Sequence, residues 1–262
     1  MLQPAKYVYC IVRCQGQRTF DVAAIGATTN PVQTINHDGL AVVASDSPDI
    51  RYDNSRSNMV AHEKVLEAVM QGLTLLPVRF GTVASAASPT ESIKNLLRIR
   101  GPEFSELLAD IDGKVELGLK AFWRDEKAIF GEILVENPEI ARLRHRLAGK
   151  RPEAVRLEAI ELGRMVKEAL EAKKGEEAAR LLAPLTPLAD RARENNTVTD
   201  RMILNASFLV DVPSEAEFDR AVEDLDSRYG ARMGFKYVGP TPPYNFVDIV
   251  VNWEECAGTG QP

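Results

Sequence analysis

Long apolar runs are absent from this sequence of 262 residues. No segment approaches the roughly 18 consecutive apolar residues that mark a membrane-spanning helix. The first residues, MLQPAKYVYCIVRC, show no secretory signal pattern, because their apolar stretch is short and resembles a strand. We therefore expect neither membrane insertion nor export, and the expected location is the cytoplasm.

Cysteine and histidine are scarce, with three residues of each type. An odd cysteine count suits a reducing cytoplasm. Cys10 and Cys14 would lie roughly 13 Å apart in a strand, beyond the reach of a disulfide. There is no CxxC motif, and the HEKVL segment that begins at His62 lacks the second histidine of the metalloprotease motif. We predict no metal site; His37 is expected at a hairpin tip, His62 at the edge of the core, and His145 is isolated.

A net positive charge is also absent. The net charge of -6 argues against a general nucleic-acid-binding protein. One basic cluster carries no interleaved aromatic residues, so a solvated helical face is favoured over a nucleic-acid patch. The cluster comprises Arg142, Arg144, Arg146, Lys150, Arg151 and Arg156. Solvated positions are predicted likewise for Glu168, Glu171, Glu176 and Glu177.

The first half of the chain has a mixed strand and helix pattern. Residues 6–12 and 113–123 each predict a strand, and residues 32–45 predict a hairpin turning at His37-Asp38-Gly39. Residues 57–71 predict a helix with Met59, His62, Leu66 and Val69 on one face. A second helix should begin with the capping box of Ser88 and Glu91 and be kinked or split at Gly101-Pro102.

The second half is rich in strong helix formers between residues 125 and 193. A coiled-coil-like seam is predicted there, and Gly175, Pro184 and Pro187 are expected to divide the region. The seam residues are Val155, Ala159, Leu162, Val166 and Ala169. Strand 201–210 should follow, then a helix capped by Ser214 and Glu217, and then strands MGFKYV and NFVDIVV joined by GPTPPY.

Arg79 lies in an apolar segment, TLLPVRFGTV, that otherwise reads as a buried strand. A phosphate loop is excluded because there is only one glycine and no Gly-Lys-Ser/Thr. A nucleophile elbow is excluded because no serine lies between two glycines. Arg79 is therefore expected on an open sheet face or at a strand end, paired with a carboxylate of the second domain. A direct role in binding a partner is the alternative.

These patterns predict an α+β protein of two domains with antiparallel sheets. The predicted division gives an N-terminal domain over 1–111 and a C-terminal α+β domain over 112–262, which includes the helical region 125–193. We predict no catalytic residue, no cofactor-binding residue and no metal ligand.

Four ordered segments resemble a known family. KYVYCIV, HEKVLEAVM with LLPVRFGTV, KVELGLKAFW and YVGPTPPYNFVDI are similar to the gas vesicle accessory proteins GvpL and GvpF. The resemblance implies a modified ferredoxin-like N-terminal domain and a non-enzymatic protein needed to build gas vesicles. It further implies, as partners, the hydrophobic shell protein and other accessory proteins, without nucleic acid or lipid membrane. The alternative function is a ferredoxin-like small-molecule sensor or enzyme.

Overall fold

The computed structural model describes residues 4–27 and 29–256, and its contacts divide the chain into two compact units. The first unit contains the chain up to Glu116 and the segment from Pro240 on, and the second runs from Leu117 to Gly239. This division differs from the predicted one, since the last segment joins the first unit and not the second. No helix among the described residues is both long and apolar enough to cross a membrane.

The first unit is built on one sheet of six strands. Five strands follow the order β2-β3-β4-β1-β5, and β6 pairs with β1 beside β5. Its strands are β1 (Ala5–Arg13), β2 (Thr19–Phe20), β3 (Val32–His37), β4 (Leu40–Ser47), β5 (Leu75–Pro77) and β6 (Val83–Ala84), and its helices are α1 (Arg56–Met70), α2 (Pro89–Asp110) and the short α7 (Trp253–Cys256). The registers described for this sheet are antiparallel.

Strand β1 pairs with three other strands of this sheet, β4, β5 and β6, and is buried on both faces. Tyr7 and Tyr9 belong to the core cluster that includes the inner face of α1. Cys10 belongs to the same cluster, although neighbouring strand residues normally point to opposite faces. A register shift against β4 between Val8 and Cys10 explains this, because a bulge places one extra residue in the strand. The apolar pattern therefore changes phase in the middle of the strand.

The hairpin and the first helix confirm their predictions. Asp38 and Gly39 both have positive φ, 46° and 78°, which is the conformation that a tight two-residue hairpin requires. Helix α1 begins after Ser55, whose side chain accepts a hydrogen bond from the Asn58 amide at 3.3 Å. His62 is buried on its inner face as expected, and Met59, one turn earlier on the same side of the helix, is 52% exposed.

Helix α2 runs unbroken through Gly101-Pro102, so the predicted split is wrong, while a kink there stays a prediction. Proline removes one helical hydrogen bond, but the packing of the helix on both sides of that position offsets the loss. The buried residues before and after the proline are Ile93, Leu96, Leu97, Phe104 and Leu108.

The second unit contains most of a four-stranded sheet in the order β10-β7-β9-β8. Its elements are β7 (Lys114–Trp123), α3 (Glu126–Glu136), α4 (Pro138–Leu147), α5 (Arg156–Leu182), β8 (Arg191–Glu194), β9 (Met202–Asp211), α6 (Glu215–Tyr229) and β10 (Met233–Thr241). The predicted strands at 113–123 and 201–210, the helix after Ser214 and the MGFKYV strand are thus confirmed.

The helical region departs from its prediction in three respects. Helix α5 is continuous through Gly175. The proposed seam is not a buried seam, since Val155 is buried, Ala159 is exposed and Leu162, Val166 and Ala169 are only half-buried. Strand β8 occupies the last residues of 125–193, where only helices were expected.

The NFVDIVV segment is not a strand. Its only pairing among the described residues is an isolated parallel bridge between Val78 and Ile249. At its start, the amides of Phe246 and Val247 donate to the Pro243 carbonyl and form a turn.

Candidate functional site

The segment from Val78 to Thr82 forms a turn that leaves the first sheet beside the β1 bulge. The amide of Val78 donates to the Tyr9 carbonyl at 3.1 Å, and the carbonyl of Thr82 accepts from the Val8 amide at 2.9 Å. Between them, Gly81 has φ of +82°, a left-handed conformation that favours glycine. The turn therefore exposes Arg79, whereas Phe80 packs back against the core cluster beside Tyr7 and His62.

A buried polar cluster supports this turn from below. The Gly81 amide donates to the Tyr7 hydroxyl at 2.9 Å, and that hydroxyl lies 3.0 Å from Nδ1 of His62. Burial lowers the pKa of His62 to about 4, so the ring is neutral near pH 7. Burial also raises the pKa of Tyr7. Both groups are therefore uncharged, as a satisfied core pair should be.

Arg79 makes a two-pronged ion pair with Asp248. Nε donates to Oδ1 at 2.9 Å and Nη2 donates to Oδ2 at 2.7 Å. The side chains are 63% and 66% exposed, so the arginine is not a buried charge. A carboxylate was expected as its partner, and Asp248 does lie within 112–262, but it belongs to the first compact unit. The contact joins the turn to the C-terminal segment of the same unit.

Glu116 holds the C-terminal segment from the other side, and sequence reasoning missed it. Its side chain is 4% exposed, and its oxygens accept from the Asn245 amide at 2.8 Å and the Asn245 side chain at 2.5 Å. Glu116 is out of phase with the apolar residues of β7, Leu117 and Leu119. In the sequence Glu116 shares the polar phase of the strand with Lys114 and Lys120, so no local signal marked it as buried.

These contacts leave an apolar groove of about 450 Å³ within the first unit. Its apolar lining consists of Met59, Pro77, Val78, Phe80, Tyr244, Val247 and Ile249. The polar lining groups bind one another: Arg79 pairs with Asp248, and the Tyr244 hydroxyl donates to Oε2 of Glu63 at 2.6 Å. The arrangement suits contact with an apolar segment better than acid–base chemistry.

The second unit contains a buried charge cluster around Glu177, which corrects the solvated position predicted for that residue. Glu177 is 4% exposed and accepts hydrogen bonds from Nε1 of Trp123 and, at 2.7 Å, from Nη2 of Arg232. Arg232 also binds Glu132, which lowers the pKa of Glu132 to about 2. Lys173 pairs with Glu132 at 3.0 Å. The cluster joins α3, α5 and the start of β10.

Histidines and cysteines do not converge on one site in the described part of the chain. Cys10 and Cys14 are free thiols, and His37 ends β3 at the hairpin tip as predicted. No group of three or more His, Cys, Asp or Glu side chains among the described residues could hold a metal ion. The absence of a catalytic, cofactor or metal site stays a prediction.

The architecture is that of a mixed α+β protein with antiparallel pairing, whose first unit bears an apolar groove. A sequence model of the family described as "Gas vesicle synthesis protein GvpL/GvpF" matches residues 5–248. The chain belongs to this family. Membership supports an accessory role in gas vesicles, and the family is not a known enzyme class.

Several known proteins are similar along most of their length. Gas vesicle protein F of Nostoc sp. is 32% identical over 215 residues, covering 81% of this chain and 86% of that protein. Gas vesicle protein F of Microcystis aeruginosa is 31% identical over 228 residues, covering 86% and 91%. The crystal structure of the gas vesicle protein GvpF from Anabaena sp. superimposes with a TM-score of 0.79 at 30% identity, covering 95% of this chain and 100% of that one.

Proposed function

We propose that this chain is an accessory protein of gas vesicle formation that binds the hydrophobic shell protein in the cytoplasm and limits its aggregation before assembly. Other accessory proteins are its further partners. Family membership supports the gas vesicle role. The apolar groove of the first unit is the observation that carries the binding step.

The physical reason is the exposure of apolar surface before assembly. A hydrophobic shell subunit must present such surface, which promotes aggregation. Met59 and Tyr244 line the groove and are 52% and 40% exposed, so they are accessible to an apolar segment. The net charge of -6 would keep the resulting complex dispersed through repulsion.

A two-domain organisation with a modified ferredoxin-like first domain remains part of the proposal. Its support is the antiparallel sheet of the first unit with α1 and α2 packed against it. In this proposal, the modification of the ferredoxin-like arrangement is that α1 and α2 cover opposite faces of the sheet. The core cluster on the α1 side contains Tyr7 and Val43, while the buried residues of α2 lie outside that cluster.

A small-molecule sensor or enzyme is the competing function, because a groove of about 450 Å³ is large enough for a small ligand. The mutual pairing of its polar groups argues against this role. Native mass spectrometry and metal analysis of the purified protein decide the matter. A stoichiometric ligand or metal would support the competing function.

Co-expression with the gas vesicle shell protein tests the binding step. We expect more soluble shell protein, and co-purification of the two chains, when this chain is present. Equal solubility with and without it, and no co-purification, would exclude direct binding.

Two neighbouring variants test the groove. Met59→Lys places a charge in the groove, whereas Val60→Lys places one on the same helix outside the lining, where Val60 is 45% exposed. We expect the first variant to abolish the gain in solubility and the second to retain it. If both variants gave the same gain in soluble shell protein, the binding surface would lie outside the groove.

A further inference from the structure

The strongest unexplained feature is a concentration of positive charge in the second unit. Residues 142–156 contain six Lys or Arg residues and one Glu, although the whole chain carries a net charge of -6. The six side chains lie on exposed positions of α4, of the following loop and of the start of α5, as predicted for a solvated face. Arg142 and Arg146 line one depression, whereas Arg144 lies on another face of α4 and lines a different depression with Phe130 and Val166. We call the five cations other than Arg144 the α4–α5 basic surface: Arg142, Arg146, Lys150, Arg151 and Arg156.

These cations are not used to hold the fold together. Within the described residues, no ion pair joins any of the six to a carboxylate, and Arg142 donates only to the Pro138 carbonyl at 3.2 Å. Further along α5, by contrast, Arg164 pairs with both Glu161 and Glu168. The helix dipole accounts for Arg144 and Arg146 in the last turn of α4, but it disfavours a cation at Arg156 in the first turn of α5.

The surface between α4 and α5 is also concave and partly apolar. Two adjoining depressions of about 700 and 460 Å³ share Glu139 and Arg146. Leu143, Leu157 and Met165 line the second depression, and Leu157 is 79% exposed. Exposed apolar side chains beside unpaired cations match the two faces of an amphipathic helix.

We propose that the α4–α5 basic surface binds an acidic amphipathic helix of a partner protein. Its carboxylates would meet the arginines, and its apolar side chains would contact Leu157 and Met165. Nucleic acid is a poorer fit, because no aromatic side chain lies between 142 and 156 and the exposed apolar side chain of Leu157 would have no partner on a phosphate backbone.

The test uses the full chain and a fluorescent synthetic helix of alternating Glu- and Leu-containing turns. We expect saturable binding by fluorescence anisotropy that weakens with added salt, and no binding of the same peptide with Lys replacing Glu. Replacing Arg142, Arg146 and Arg151 by Gln should weaken binding at least about tenfold. Replacing Arg220 and Arg228, exposed arginines of α6, should leave it unchanged.

The apolar part of the surface needs its own variants. Leu157→Ala should weaken binding several-fold, whereas Val135→Ala, on α3 and 82% exposed, should not. The proposal would be overturned if the acidic and basic peptides bound with equal affinity. It would also be overturned if both the arginine variants and Leu157→Ala bound the acidic peptide as tightly as the unchanged protein. Tighter binding to a DNA duplex or to phosphatidylglycerol vesicles would assign the surface to those ligands, and self-association abolished by the arginine variants would assign it to a second copy of this chain.

Discussion

Replacing Glu177 by Ala gives the sharpest test of the energetics inferred for the second unit. The change removes the acceptor of the indole N–H of Trp123, a residue that is only 1% exposed. It also removes one of the two carboxylates that bind Arg232. Glu176→Ala is the matched control, because it lies on the same helix with a side chain that is 70% exposed.

The expected loss follows from these two contacts. A buried donor without a partner costs about 1–3 kcal/mol of unfolding free energy. Arg232 is 35% exposed and keeps its ion pair with Glu132, so the loss of the Glu177–Arg232 ion pair adds only about 1 kcal/mol to the cost. The sum of about 2–4 kcal/mol corresponds to a fall of roughly 5–12 °C in the unfolding midpoint. Glu177→Gln retains an acceptor for Trp123 and should cost about 1 kcal/mol.

Thermal unfolding followed by circular dichroism measures the midpoints, and tryptophan emission reports the surroundings of Trp123. We expect a red shift in emission for Glu177→Ala and none for Glu176→Ala, whose stability should change by less than about 0.5 kcal/mol. If the two Ala variants unfold at the same temperature, the cluster does not stabilise the unit as argued.

Three further perturbations have defined outcomes. Arg232 lowers the pKa of Glu132 from 4.5 to about 2, so the ionised carboxylate stabilises the fold above pH 4.5 and this contribution is lost as the pH falls towards 2. In a plot of the urea unfolding midpoint against pH, Glu132→Gln should therefore flatten the region between pH 4.5 and 2. Burial lowers the pKa of His62 from 6.5 to about 4, so stability should fall as the pH drops from 6.5 to 4, and the ring proton shifts in NMR spectra should stay constant down to about pH 5. Gly81→Ala should cost about 1–2 kcal/mol because of its positive φ, whereas Gly72→Ala, with open space and no positive φ, should not destabilise the chain in urea denaturation.

Local sequence patterns predicted the helices and strands well where an element has one buried and one exposed face. The hairpin at Asp38-Gly39 follows from turn chemistry, and helix α6 follows from apolar spacing, although the Ser214 side chain makes no capping hydrogen bond. The same logic wrongly allowed a break at Pro102 and wrongly predicted one at Gly175, because each residue lies in a helix that tertiary packing holds together. Intrinsic helix propensity is worth only about 1–3 kcal/mol at such positions.

The candidate sites depended on contacts between residues far apart in sequence. Arg79 was identified as unusual, but its partner Asp248 lies in a segment whose alternating pattern wrongly indicated a strand. Hydrogen bonds to the Glu116 side chain fix that segment, and they replace the regular backbone ladder of a strand. Glu177 looked like other solvated carboxylates because its partners, Trp123 and Arg232, are distant in sequence.

The order of the compact units along the chain has a consequence for synthesis on the ribosome. The first unit is interrupted, because its last segment follows the whole of the second unit in sequence. Domains usually fold in the order of their emergence. Here the interrupted unit must wait for the contacts of Asn245 and Asp248, so the nascent chain would expose the apolar side chains of Val78 and Phe80 while the intervening residues are translated. The inserted unit, from Leu117 to Gly239, can complete its own contacts first.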